Sequence, residues 1–385
     1  MHRPTLALLL CAACGSPDAD PGTDTGTDAD SDDTAAATST SSAGTTQATT
    51  AASPTETAAD ATTAEPDPTS GTTAAESTGD DQPCDDSPQA LADCVEAQRW
   101  PDDLAFIADI RTPGSPHWLA VQDLCAERLD EYGYEVELYD YGTGVDVVGR
   151  RLGKTAPDQQ VLVGAHYDHI AGCHGADDNA SGLAAALEIA RVLALAEYDR
   201  TIIVACWDEE EDGLIGSEAY VQAAKAAGDD ILINFNYDMI GYYDDSPNSQ
   251  TVPPGFELAF PDAYAELQAN MFRGDFITAV ADAESIDHVT AFGAAADRIG
   301  LRKSLLNLPA GTESTDVFAD LRRSDHASFW DAGYPAIFIT DSGEFRNPNY
   351  HCMGGPDEVT DLTQEFAVNV TRATVEASAV ALGLL

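Results

Sequence analysis

Four short stretches, residues 160–165 (QVLVGA), 201–205 (TIIVA), 231–235 (ILINF) and 335–340 (PAIFIT), are apolar almost without interruption. A strand with one wet face alternates apolar and polar residues, whereas a strand covered on both faces need not. The runs are too short for core helices and rich in β-branched residues, so they predict strands buried on both sides. Between the first two, residues 183–196 are dominated by Ala and Leu and predict a covering helix. Residues 118–132 have helical spacing and stop at Gly133, residues 134–138 alternate as a strand, and a last helix is predicted over 363–382. Strands alternating with helices imply an α/β fold: a three-layer sandwich with a mostly parallel central sheet covered by helices on both faces. No repeat of fixed period is visible.

All of these elements lie in residues 84–385, enough chain for one large core. Residues 15–83 are different. They contain 18 Thr and 14 acidic residues, with no Lys, Arg, Val, Ile, Leu, Met, Phe, Trp or Tyr. With nothing to bury, such a segment cannot offset its ordering entropy, and a disordered acidic linker with a reach of about 45 Å is expected. Residues 1–14 read as a signal peptide, with His2 and Arg3 before an apolar stretch and small residues leading to Cys14. That end is similar to a bacterial lipoprotein cleavage site, with Cys11 where an aliphatic residue is usual. The expectation is an exported protein of the cell envelope or surface, anchored to a membrane by lipid on Cys14, or else secreted. The apolar stretch is too short to span a bilayer. Cysteine use agrees with export: Cys84–Cys94 and Cys173–Cys352 are expected bridges, and Cys206, inside an apolar run, a buried thiol.

With 18 Lys+Arg against 67 Asp+Glu, the formal net charge is −49. That balance excludes a nucleic-acid partner and polybasic membrane attachment, both of which need clustered cations.

The acids are not spread evenly. In an open α/β sheet, ligands bind beyond the carboxyl ends of the strands, and here each buried run empties into ligand-type residues. The first leads to His166, Asp168 and His169, the second to residues 208–212 (DEEED), and the third to Asp238. The fourth leads through a loop to Tyr350 and His351, and residues 175–182 (GADDNASG) add a fifth cluster. So many carboxylates without nearby cations repel one another, and a divalent metal is the natural compensation. Imidazole mixed with carboxylate suits zinc better than calcium or magnesium, and a carboxylate can bridge two ions. Taken singly, each residue has an ordinary reading as a loop residue. His169, His174, His288, Asp177 and Glu209 keep that reading, and Gly213 and Gly216 read as turn residues. His326 is set aside as a ligand because residues 324–330 (SDHASFW) read as a helix start.

The segments HYD (166–168), ADDNASG (176–182), EEDGLIGS (210–217), DMIG (238–241), SDHASF (324–329) and NYH (349–351) occur in an order that resembles the double-zinc exopeptidases of metallopeptidase family twenty-eight. That family includes bacterial leucyl-type aminopeptidases, with glutamate carboxypeptidases and glutaminyl cyclases as relatives. The resemblance implies two zinc ions: one on His166 and Asp238, the other on Glu211 and His351, with Asp178 bridging both. It also implies a cis peptide after Asp178 and Glu210 as general base toward a water shared by the metals. Asp168, two residues from His166, is expected to accept its imidazole N–H. Tyr350 and zinc are candidates to stabilise the oxyanion.

The expected activity is hydrolysis of a terminal bond of a peptide substrate. The acidity of the site favours an aminopeptidase. A carboxypeptidase would need cations for the substrate carboxylate, and Arg322, Arg323 and Arg346 are the nearest in sequence. The sequence also leaves open a glutaminyl cyclase-like acyltransferase and a noncatalytic surface lipoprotein. No oligomeric state follows from the sequence.

Overall fold

The computed structural model describes residues 84–385; the expected signal peptide, the linker and the Cys14 anchor lie outside the described residues. Eight strands form one sheet: β1 (Glu135–Asp140), β2 (Val145–Arg151), β3 (Ala156–His166), β4 (Arg200–Trp207), β5 (Asp230–Tyr237), β6 (Ile277–Ala281), β7 (Lys303–Asn307) and β8 (Ala336–Thr340). The helices around it are α1 (Pro88–Asp93), α2 (Arg99–Ile107), α3 (Pro116–Glu131), α4 (Gly182–Leu193), α5 (Ile215–Ala227), α6 (Phe256–Ala259), α7 (Pro261–Ala269), α8 (Ile286–Ile299), α9 (His326–Ala332) and α10 (Gln364–Leu382). The order across the sheet is β1-β2-β4-β3-β5-β8-β6-β7. β4, β3, β5 and β8 run parallel, as expected. The flanks bring antiparallel pairs, β1–β2, β2–β4 and β6–β8.

The four apolar runs are the four central strands, and their alternate residues feed two separate cores. Val161, Val163, Ile202, Val204 and Phe235 pack with α2, α3, α4, α8 and α10 on one face. Leu162, Ile203, Ala205 and Trp207 pack with α5, α7 and α9 on the other. Burying each such aliphatic side chain contributes roughly 1.5–3 kcal/mol, which is why these strands tolerate no alternation. In α4 every residue but Arg191 is buried, because it lies between the sheet and α10. α3 starts two residues earlier than the spacing predicts. Ser115 accepts the Trp118 N–H at 3.2 Å and Pro116 takes the first turn, while Gly133 at φ 81° ends the helix.

From β3 the chain passes to β4 on one side and then returns to β5 on the other. The carboxyl end of β3 is therefore a topological switch point, the place where such sheets bind ligands. Both expected bridges are closed, Cys84–Cys94 and Cys173–Cys352, and Cys206 is a buried thiol. Among the described residues no helix is long and apolar enough to cross a membrane.

Candidate metal centre

Strand register places the first two side chains. Ala165 of β3 pairs with Tyr237 of β5, so the residues that follow, His166 and Asp238, leave the sheet side by side. β4 ends at Trp207, and its continuation turns sharply to present Glu210 and Glu211. Two glycines make that turn possible. Gly213 has φ 113°, and a Cβ on Gly216 would lie 2.2 Å from Asp146 Oδ1. Residues 175–182 carry Asp178, followed by a cis peptide to Asn179. A 3₁₀ turn at Tyr350–Cys352 brings His351, at φ 51°, over the strand ends.

Asp178 is the hinge of the cluster. Its Oδ1 lies 3.4 Å from His166 Nε2 and its Oδ2 lies 3.2 Å from His351 Nε2. Around His166 Nε2, Asp238 Oδ1 is at 3.6 Å and Glu210 Oε2 at 4.0 Å. Around His351 Nε2, Glu211 Oε2 is at 3.1 Å. Ligands about 2.1 Å from a tetrahedral zinc stand about 3.4 Å apart, so these spacings and this donor set fit the metal. His166 Nε2 is moreover buried with no hydrogen-bond partner, an orphan that a cation would satisfy.

Two trios of ligand atoms each fall within 4.8 Å of one another: His166, Glu210 and Asp238, and His169, Asp178 and Glu211. Glu210 thus faces the first imidazole as well as the space where a base is expected. His169, an ordinary loop residue by its sequence, is fully buried with Nδ1 2.7 Å from Glu211 Oε1. Its position after His166 and Asp168 is the only signal the sequence carries for it. Asp168 does more than the sequence suggests. Its carboxylate accepts the N–H groups of Glu210 and Glu211 at 3.1 and 3.2 Å. His166 Nδ1 lies nearer the Asp168 carbonyl, at 3.3 Å, than its carboxylate, at 3.5 Å.

Two further residues escape sequence reasoning. Arg111, wholly buried, donates from Nη2 to the carbonyls of Gly175 and Asp178 at 2.8 and 2.9 Å. Asp357 accepts the N–H groups of Asp177 and Asp178 at 3.0 and 3.2 Å. Both are isolated polar residues far away in sequence, with no periodicity to betray them.

The residues given ordinary readings, His169 aside, sit outside the cluster. Asp177 accepts from Gly241 N–H and Asn347 Nδ2, at 2.9 and 2.8 Å, and Glu209 accepts from the Thr143 hydroxyl. His174 pairs with Glu358, and His288 meets the edge of Phe235. His326 stacks flat on Phe338, 4.2 Å between centroids, at the start of α9.

The charges of the cluster act on one another. Burial works to lower the His166 pKa, but Glu210, Asp168, Asp178 and Asp238 outweigh it and hold the imidazolium well above its usual range. His351 is likewise pushed up to about 10, with Asp178 and Glu211 overcoming burial. Burial would raise Asp178, yet the two imidazoles hold it well below the ordinary carboxylate range. Glu210 goes the other way, raised well above by burial and then by the charges of Asp238, Asp325 and Glu211. Burial and the nearby Asp178 raise the Tyr350 phenol, so it stays protonated and available as a donor.

An apolar pocket opens beside Asp238 and Tyr350, walled by Met239, Phe256, Phe276, Leu306, Phe338 and Phe345. Arg323 is the arginine that lines it. Arg322 is bonded to Asp331 and the Glu313 carbonyl. Arg346 is buried, bonded to Gln250 and stacked on Phe276.

Residues 146–376 match the model of peptidase family M28. The chain is 32% identical over 206 residues to the uncharacterized protein YfbL of Escherichia coli (strain K12), covering 50% of this chain and 59% of that protein. It is 28% identical over 303 residues to a probable zinc metalloprotease of Pyrenophora tritici-repentis, covering 68% of this chain and 60% of that one. The chain therefore spans about three fifths of the length of these relatives. Its fold is similar to that of the LapA aminopeptidase of Legionella pneumophila, with a TM-score of 0.59 at 19% identity over 77% of this chain and 75% of that one. The family match begins in β2 and ends inside α10, taking in more than half of the chain and every strand but the first, and the chain belongs to peptidase family M28.

Proposed function

We propose that the protein is a zinc-dependent exopeptidase, specifically an aminopeptidase, using two zinc ions. The observation that carries this reading is the Asp178 carboxylate, which offers one oxygen to each of two imidazoles that are themselves flanked by acids. His166 and Asp238 would hold one ion, His351 and Glu211 the other, and Asp178 both. Bound zinc supplies Lewis-acid chemistry, polarising a carbonyl and making water acidic near neutral pH. Glu210 takes the proton from the attacking water and passes it to the leaving amine, a role helped by its buried, proton-seeking carboxyl. Tyr350 donates its hydroxyl to the carbonyl oxygen as charge develops there. Asp168 keeps Glu210 and Glu211 in place by holding their backbone N–H groups.

The choice of terminus rests on charge. Arg323, the arginine at the pocket, is already paired with Glu344 and Tyr350, which leaves it not free to take a substrate carboxylate. The apolar pocket suits an apolar terminal side chain. Metal analysis should return two zinc ions per chain, and free-amine peptides should be cleaved in preference to amino-blocked ones. Preference for the blocked peptide would refute the aminopeptidase reading.

We place the enzyme outside the cytoplasm, as a lipoprotein anchored through Cys14 with residues 84–385 as the catalytic domain. Two disulfides support export. Cell fractionation with a Cys14→Ala variant tests the anchor: the variant should leave the membrane fraction.

A further inference from the structure

Arg323 sits on the hydroxyl that the mechanism needs. Its Nη2 donates to the Tyr350 phenol oxygen at 2.9 Å, and its Nη1 is ion-paired with Glu344. The Tyr350 ring lies flat against the His351 imidazole, with centroids 3.9 Å apart and planes 18° apart. Glu344, Arg323, Tyr350 and His351 thus form one continuous chain of contacts that ends on Asp178 and Glu211.

We propose that Arg323 is a positioning residue for Tyr350, holding the phenol so that its hydrogen points to the carbonyl of a bound peptide. The inference rests on the aminopeptidase reading, in which Tyr350 is the oxyanion donor. A phenol oxygen both accepts and donates. Arg323 fills the accepting side, and no acceptor among the described residues takes the hydroxyl hydrogen. The hydrogen is therefore left for an incoming acceptor. A charged donor on the same oxygen also polarises the O–H bond, so donation strengthens as the carbonyl oxygen becomes negative. The effect is larger in the transition state than in the ground state, and it should appear in kcat rather than KM. Glu344 supplies the second anchor: with both Nη atoms occupied, the guanidinium is not free to capture a substrate carboxylate itself.

The test uses full-length zinc-loaded protein carrying Arg323→Gln, Arg323→Lys, Tyr350→Phe or the Gln/Phe pair, with Arg322→Gln as control. Three quantities are read: kcat and KM, zinc content, and calorimetric affinity for a tetrahedral phosphonate dipeptide analogue against that for the free product amino acid. Loss of a whole oxyanion donor costs about 10²–10³ in kcat, and removing its anchor should cost about tenfold or more. Arg323→Gln should lower kcat and phosphonate affinity together, leaving KM, product affinity and zinc content within about twofold. Arg323→Lys should recover part of the loss. The double variant should be no slower than Tyr350→Phe alone, because the arginine acts through the phenol, and Arg322→Gln should match the parent. Losses that multiply in the double variant would overturn the proposal. So would a rise in KM with kcat unchanged, which would make Arg323 a substrate-binding group. If the parent protein prefers blocked peptides, the aminopeptidase reading falls, yet the same cycle run on that substrate still decides whether Arg323 acts through Tyr350.

Discussion

The two halves of the acid–imidazole cluster are built by different means. His166 and Asp238 stand at the ends of paired parallel strands, with side chains 0% and 11% exposed, and the sheet's register alone brings them together. His351 hangs from a 3₁₀ turn and is 27% exposed. That turn is held by a crosslink: Cys352, the next residue, is bonded to Cys173 in the loop that leads to Asp178. Asp357 then ties the following segment to the N–H groups of Asp177 and Asp178. Backbone pairing positions a ligand to a fraction of an ångström without extra parts, whereas a loop needs pins. One half should therefore fail with the sheet and the other with its fastenings.

The largest expected effect comes from removing what the halves share. Asp178→Ala should lose both zinc ions and all measurable peptidase activity; one ion retained at full occupancy would show that the carboxylate is not shared. Glu210→Gln should keep both ions and lose about 10²–10⁴-fold in kcat. Unchanged turnover there would exclude Glu210 as the base. The asymmetry itself is sharpened by Cys173→Ser with Cys352→Ser. Affinity for the second ion should fall about 10–100-fold, as for other outer-shell changes, while the first ion binds as before. Equal weakening of both sites would mean that the crosslink serves the whole domain rather than the loop half.

The smallest effect is a pH signature confined to the metal-free protein. His351 is raised from 6.5 to about 10 in the fold, so between those values the folded state binds more protons than the unfolded one. Its stabilising contribution is complete below about pH 6.5 and is lost as pH rises through about 10. Urea unfolding of chelator-treated protein should show this decline. Zinc-loaded protein, whose ligand imidazole is already neutral, should not show it from His351.

Strands β3, β4, β5 and β8 are legible in the sequence because doubly buried strands cannot contain many polar residues. β2 (VDVVGRR) is not, since it carries charges, nor is β7 (KSLLN), in which three of the five residues are polar. The candidate ligands are legible only jointly, as acids and imidazoles recurring where apolar runs stop. His169 is misread from sequence because nothing in a single dipeptide shows which way a loop turns.

Apolar runs, the missing cations and the recurrence of acids and imidazoles after each run determined the α/β class, the end of the sheet that would be functional and the metal character of the site. These are local or compositional properties, set by what each segment must bury or neutralise. Only the tertiary structure decided which of Arg322, Arg323 and Arg346 faces the site, that Arg111 and Asp357 hold the Asp178 loop, and that His169 stands behind Glu211. Such contacts join residues far apart in the chain through single hydrogen bonds, whose partners are set by the packing of whole elements and leave no periodic trace in the sequence.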